Sequence, residues 1–138
     1  MIIDATDLIL GRMATVAAKK LLLGEKIDIV NCENVYITGS KAKLVNEFHR
    51  RRVMGIPLQG PYFPKSADRI VRRTIRGMLP YKKDAGKRAF KNIMCYLGVP
   101  AEFQGKEKIT IKESNISKVP NLKYMRLGQI SKLIGARN

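Results

Sequence analysis

Short runs of β-branched residues alternate along this chain with segments of helical period, and each change of period is marked by Gly, Pro or a small polar residue. Strand, helix and strand in succession close through right-handed crossovers, which lay the strands parallel with helices packed on the sheet. Ile2-Ile3 reads as the first strand, and Asp4-Ala5-Thr6-Asp7 offers side-chain oxygens to cap the helix after it. Over residues 11–23, Met13, Val16, Ala17 and Leu21 recur at helical spacing, with Gly24 at the left-handed C-terminal position. Residues 27–30 and 35–38 are further strands, and Ser40 caps a helix running to about Arg52 with Leu44, Val45 and Phe48 as its apolar stripe. Helices are expected over 66–79, ended by Pro80, and over 84–97, ended by Gly98 and Pro100, the latter with Phe90, Ile93, Met94 and Leu97 as its core face. Lys108-Ile109-Thr110-Ile111-Lys112 alternates as an edge strand should. The expectation is α/β: one three-layer α/β/α domain over residues 1–138, with a mainly parallel sheet of about four strands, a basic loop region and a C-terminal extension over 114–138.

The balance of charge then narrows the partners. Twenty-seven Lys and Arg face 11 Asp and Glu, a net of +16, while 45% hydrophobic residues are enough for a real core. Such a surplus repels itself unless a polyanion neutralises it, and nucleic acid is the commonest candidate. No apolar run approaches the ~20 residues of a membrane span, and the first residues lack the charged and apolar regions of a signal sequence, so a cytoplasmic location is expected. Cys32 and Cys95 are far apart in sequence and flanked by apolar residues, which suits buried reduced thiols. With one His, they supply no metal-ligand spacing, and no metal or other cofactor is expected.

The segment over 66–79 carries the clearest functional signal. Arg69, Arg72, Arg73 and Arg76 fall at i, i+3, i+4 and i+7 and share one helix face, while Ala67, Val71, Ile75 and Met78 point to the other. A merely solvated face would mix signs to gain i,i+4 pairs, yet only Asp68 offers a carboxylate here. Arginine forks match phosphate oxygens. The same sign continues in His49, Arg50, Arg51 and Arg52, in Lys65, and in Lys82, Lys83, Lys87, Arg88 and Lys91. Arg50 to Arg52 also suit a helix C-terminus, where cations meet the dipole. Tyr62, Phe63 and Tyr81 lie among these charges, where they either stack on unpaired bases or anchor loops. Arg12 and Lys41, each at a helix start, could hold one phosphate. Neither Gly11-Arg12 nor Gly39-Ser40-Lys41 has the glycine spacing of a nucleotide-binding loop. His49 has no nearby nucleophile in sequence, and Glu25, Glu33, Glu47 and Glu102 are scattered, so nothing argues for an enzyme or a small-molecule substrate.

Five segments in register resemble the ribosomal protein L13 family of the large subunit: Ile3-Asp4-Ala5-Thr6-Asp7 with Leu10-Gly11-Arg12-Met13-Ala14, Val35-Tyr36-Ile37-Thr38-Gly39, Gly60-Pro61-Tyr62, Arg76-Gly77-Met78-Leu79-Pro80, and Gly86-Lys87-Arg88-Ala89-Phe90. The opening at the first strand and the short Gly-Pro-Tyr loop are similar to the archaeal and eukaryotic branch. The resemblance implies a single α/β domain without catalytic activity. Its partners would be large-subunit ribosomal RNA (rRNA) and neighbouring large-subunit ribosomal proteins. The family's basic surface would transfer onto Arg12, Lys41, Arg69, Arg72, Arg73, Arg76, Lys87 and Arg88. Leu127, Ile130 and Ile134 in the tail would form a short helix docking either on the domain or on a neighbouring protein.

Overall fold

A computed structural model describes residues 1–120 and 122–136. Strand β1 (Ile2–Asp4) leads into helix α1 (Leu10–Leu22), which crosses over to β2 (Ile27–Val30), and β4 (Ile93–Cys95) lies on the far side of β2. Both pairings are parallel, with Ile3 opposite Ile29 and Ile29 opposite Cys95. Because side chains alternate across a strand, this register gathers Ile3, Ile27, Ile29, Ile93 and Cys95 on one face, all buried. The opposite row of Ile2, Asp28 and Met94 is half-open. Tyr96 closes one end of it by meeting Phe103 edge-on at 5.4 Å.

The mixed α/β class and the mainly parallel sheet are those the sequence predicts, with several local differences. The helix expected over 84–97 ends early: α4 spans Asp84–Lys91, and Ile93 to Cys95 form the third strand of the sheet. Ile93 and Cys95 are buried, whereas Met94 and Leu97 are exposed, a period of two in place of the assumed helical one. The edge strand expected at 108–112 is reduced to one parallel bridge between Ile109 and Ile3, and Ile109 stays 48% exposed. The Asp4 carboxylate does not cap α1. It accepts from the Thr6 amide at 3.0 Å, the Thr6 hydroxyl at 2.7 Å and Asn31 Nδ2 at 3.0 Å, tying the end of β1 to the end of β2. Burial pushes this carboxyl up, but those hydrogen bonds and the charge of Lys108 outweigh it and hold Asp4 below its ordinary value.

Strand β3 (Tyr36–Thr38) stays out of the main sheet and pairs antiparallel with β5 (Tyr124–Arg126), Ile37 opposite Met125. Helix α5 (Leu127–Leu133) follows at once, and Leu127, Ile130 and Ile134 are fully buried in the common core. The tail therefore docks on its own domain. Asn121, Arg137 and Asn138, which belong to the expected extension, lie outside the described residues. Helix α2 (Lys41–Val53) buries Phe48 and packs against α5, and α3 (Ala67–Met78) packs against α1.

Two details of the core bear on the sequence reading. Cys32 and Cys95 meet at the ends of β2 and β4: the Cys32 amide donates to the Tyr96 carbonyl at 3.1 Å, and both thiols are free and buried. The hydrogen bond with Cys95, then burial, pushes the Cys32 thiol far above its ordinary value, so it is not a nucleophile. Gly86 in α4 faces the turn before it, where a Cβ would lie 2.1 Å from the Pro80 carbonyl oxygen. Only glycine permits that approach, which seats the basic segment of α4 beside the end of α3.

Candidate nucleic-acid interface

Helix α3 positions four arginines because its other face is anchored. Ala67, Ile70, Val71 and Ile75 are buried, fixing the helix's rotation so that Arg69, Arg72, Arg73 and Arg76 turn outward. Met78, expected on the apolar face, is 42% exposed, and its sulfur accepts a long hydrogen bond from the Thr15 hydroxyl of α1, at 3.8 Å. Asp68, the helix's one carboxylate, accepts a hydrogen bond from the Ser66 hydroxyl. None of the four arginines has a carboxylate within ion-pairing distance among the described residues.

Their partners are aromatic. The Arg72 guanidinium stacks over Phe90 of α4 at 4.7 Å, Arg73 over Phe63 of the preceding loop at 4.8 Å, and Arg76 over Tyr81 of the following turn at 5.1 Å. Arg73 also donates from Nη1 to the Tyr62 carbonyl at 3.2 Å. Phe63 and Tyr81, offered by the sequence as base-stacking platforms or loop anchors, thus lie against guanidinium groups. Such contacts contribute roughly 0.5–1 kcal/mol each at exposed sites. They hold the planar forks in place without using up the charge.

The surrounding residues divide into two groups. Arg52, Tyr62, Lys65 and Arg69 line one groove of about 1030 Å³ between α3 and residues 135–136. Arg52 is fixed there by donating from Nη1 to the Ile134 carbonyl, and Lys65 by its carbonyl accepting from the Ser131 hydroxyl at 2.6 Å. Beyond α3, Lys82, Lys83, Lys87, Arg88 and Lys91 are all exposed on α4 and the turn before it, with Lys87 within 3.3 Å of Asp84. Arg12 is exposed on the first turn of α1, one turn before the Thr15 that touches Met78.

Other predicted residues are less available or more distant. Glu47 accepts two hydrogen bonds from Arg50 at 3.1 Å and one from Arg51 at 2.7 Å. These bonds lower the Glu47 carboxyl and raise Arg50, so the run 49–52 spends part of its charge within α2. His49 is exposed beside them. Lys41 stands at the other end of α2, about 16 Å from Arg52 at 1.5 Å of rise per residue.

Sequence reasoning missed a second basic and aromatic cluster on the β3–β5 ribbon. Arg126 donates from Nε to the Tyr36 hydroxyl at 2.8 Å and lies over the same ring, which meets Tyr124 edge-on at 5.1 Å. The alternation Tyr124-Met125-Arg126 was the available signal, but so short a strand gains meaning only from β3, far away in sequence.

Comparison with known proteins resolves the family. Residues 1–102 match the family model of ribosomal protein L13. The chain belongs to the ribosomal protein L13 family. Its similarity to curated relatives runs the whole length. It is 46% identical over 137 residues to the large ribosomal subunit protein uL13 of Methanosarcina barkeri, covering 99% of this chain and 98% of the relative. To the uL13 of Methanococcoides burtonii it is 42% identical over 136 residues, again covering 99% and 98%. To that of Archaeoglobus fulgidus it is 40% identical over 137 residues, covering 99% and 88%. The resemblance carried by the five sequence segments is thereby confirmed, and it extends through β5 and α5, beyond the residues that the family model matches.

Proposed function

We propose that this chain is a structural constituent of the large ribosomal subunit that binds large-subunit rRNA through the face built on α3 and continued by residues 82–91. Membership of the L13 family makes it a ribosomal protein, and not an enzyme, working with the ribosome in the cytoplasm. The observation carrying the RNA assignment is the set of four outward guanidinium groups with no carboxylate partner among the described residues. Its chemistry is charge neutralisation of phosphates, with the released counterions supplying much of the affinity. Arg12, Lys65, Lys82, Lys83, Lys87, Arg88 and Lys91 extend the contact, and Arg52 and Tyr62 line its groove. Lys41, His49, Arg50 and Arg51 serve as outlying contacts on α2.

Neighbouring large-subunit proteins are the second class of partner. Residues 53–60 contain no charged side chain, and Val53, Met54, Ile56 and Leu58 are exposed. An apolar loop offers little to a polyanion and suits a protein surface. Density-gradient fractionation of native lysate tests the assignment. The chain is expected to travel stoichiometrically with the large subunit and to stay there in moderate salt; recovery at the top of the gradient would refute it.

A further inference from the structure

We propose that the pocket between α3, Pro64 and Phe90 is a built site for a single phosphate group, which in the particle is one phosphodiester of the rRNA backbone. The inference rests on the reading of α3 as the RNA face and sharpens it from a charged surface to one discrete clamp. Pro64, Arg69, Arg72, Arg73, Arg76 and Phe90 line an open pocket of about 230 Å³, room for a tetrahedral oxyanion with a little water. Three of its four arginines are held over aromatic rings, Phe90, Phe63 and Tyr81. An aromatic ring against one face of a guanidinium leaves its N–H edge directed sideways, the geometry in which a fork meets two phosphate oxygens.

The free protein also holds this pocket at a cost. Among the described residues these four like charges have no acidic counter-charge, and the buried Arg72 Nε N–H has no acceptor. A buried donor without a partner is unfavourable, and an oxyanion seated among these groups relieves both the repulsion and, with a small turn of the side chain, the orphaned donor. A surface meant only to attract RNA from a distance has no use for fixed forks, since ammonium groups on flexible stems serve equally well.

Charge-conserving substitution separates a clamp from a diffuse face. In the full chain, Arg72→Lys with Arg73→Lys keeps the net charge but removes two forks. The affinity for a large-subunit rRNA fragment is expected to fall on the order of tenfold or more, with the slope of affinity against salt unchanged. Wild-type affinity in a folded double variant would overturn the clamp while leaving α3 as the RNA face; that face itself fails only if neutral replacement of the arginines has no effect. A measurement on the unaltered protein guards against misfolding of the variant. Titration with inorganic phosphate, followed by NMR at the arginine Nε–H signals, is expected to shift Arg72 and Arg73 saturably, while chloride at matched ionic strength does not. Parallel shifts with both salts would overturn the site. A site for free phosphate alone, which would equally overturn the backbone assignment, would show saturation by the ion with no competition from the rRNA fragment.

Discussion

Replacing Arg69, Arg72, Arg73 and Arg76 together by Gln is expected to lower affinity for a large-subunit rRNA fragment by on the order of a thousand-fold near ~0.1 M salt. Each neutralised phosphate contributes roughly 0.9 to the slope of log affinity against log salt for duplex nucleic acid and about 0.7 for single strands. Loss of four contacts should therefore make that slope shallower by about 3. The protein should remain folded, because Gln and Arg have nearly equal helix propensity and the buried residues of α3 are untouched. The stacking lost against Phe90, Phe63 and Tyr81 is partly offset by relief of repulsion among the arginines. Filter binding across a salt series measures both quantities. Affinity and slope equal to wild type would remove α3 from the RNA face.

The second large effect concerns stability. Ile130→Ala is expected to cost about 2–5 kcal/mol, the range for truncating a buried aliphatic side chain that leaves a cavity. Ile130 is fully buried, and α5 packs against α2, against α3 and against the turn after β2. The loss should spread to the groove beside α3, since Ser131 and Ile134 hold the Lys65 carbonyl and Arg52. Chemical denaturation gives the change in stability. A loss below about 1 kcal/mol would mean that the tail is an appendage and not part of the core.

This role of the tail was hidden in the sequence, and the reason is physical. Leu127, Ile130 and Ile134 have helical spacing, but a seven-residue helix gains its stability from the surface it covers. That surface is assembled from α2, α3 and the turn after β2, all distant along the chain. The same holds for β4: a three-residue apolar run fits a buried strand or the end of a buried helix equally well, and only pairing with β2 decides it. By contrast, α3 was legible because one local pattern contained both its apolar face and its charged stripe, with Ser66 and Pro80 as punctuation. Only Met78, 42% exposed, departed from that pattern.

The candidate site divides along the same line. The positions of Arg69, Arg72, Arg73 and Arg76 followed from helical period alone, whereas their aromatic partners come from three different segments and appear only in the fold. Local competition was also missed: Glu47, in the same helix as Arg50 and Arg51, withdraws part of the charge of that run. The pairing of Cys32 with Cys95 across β2 and β4 belongs with these non-local features.

If α3 and residues 82–91 face rRNA in the assembled particle, they should crosslink to it there. Ultraviolet crosslinking of intact large subunits, followed by mapping of the crosslinked peptides of this chain, tests that placement most directly. RNA-linked peptides from α3 and from residues 82–91 are expected. Crosslinks confined to the β3–β5 ribbon and the start of α2, with none on α3, would contradict it.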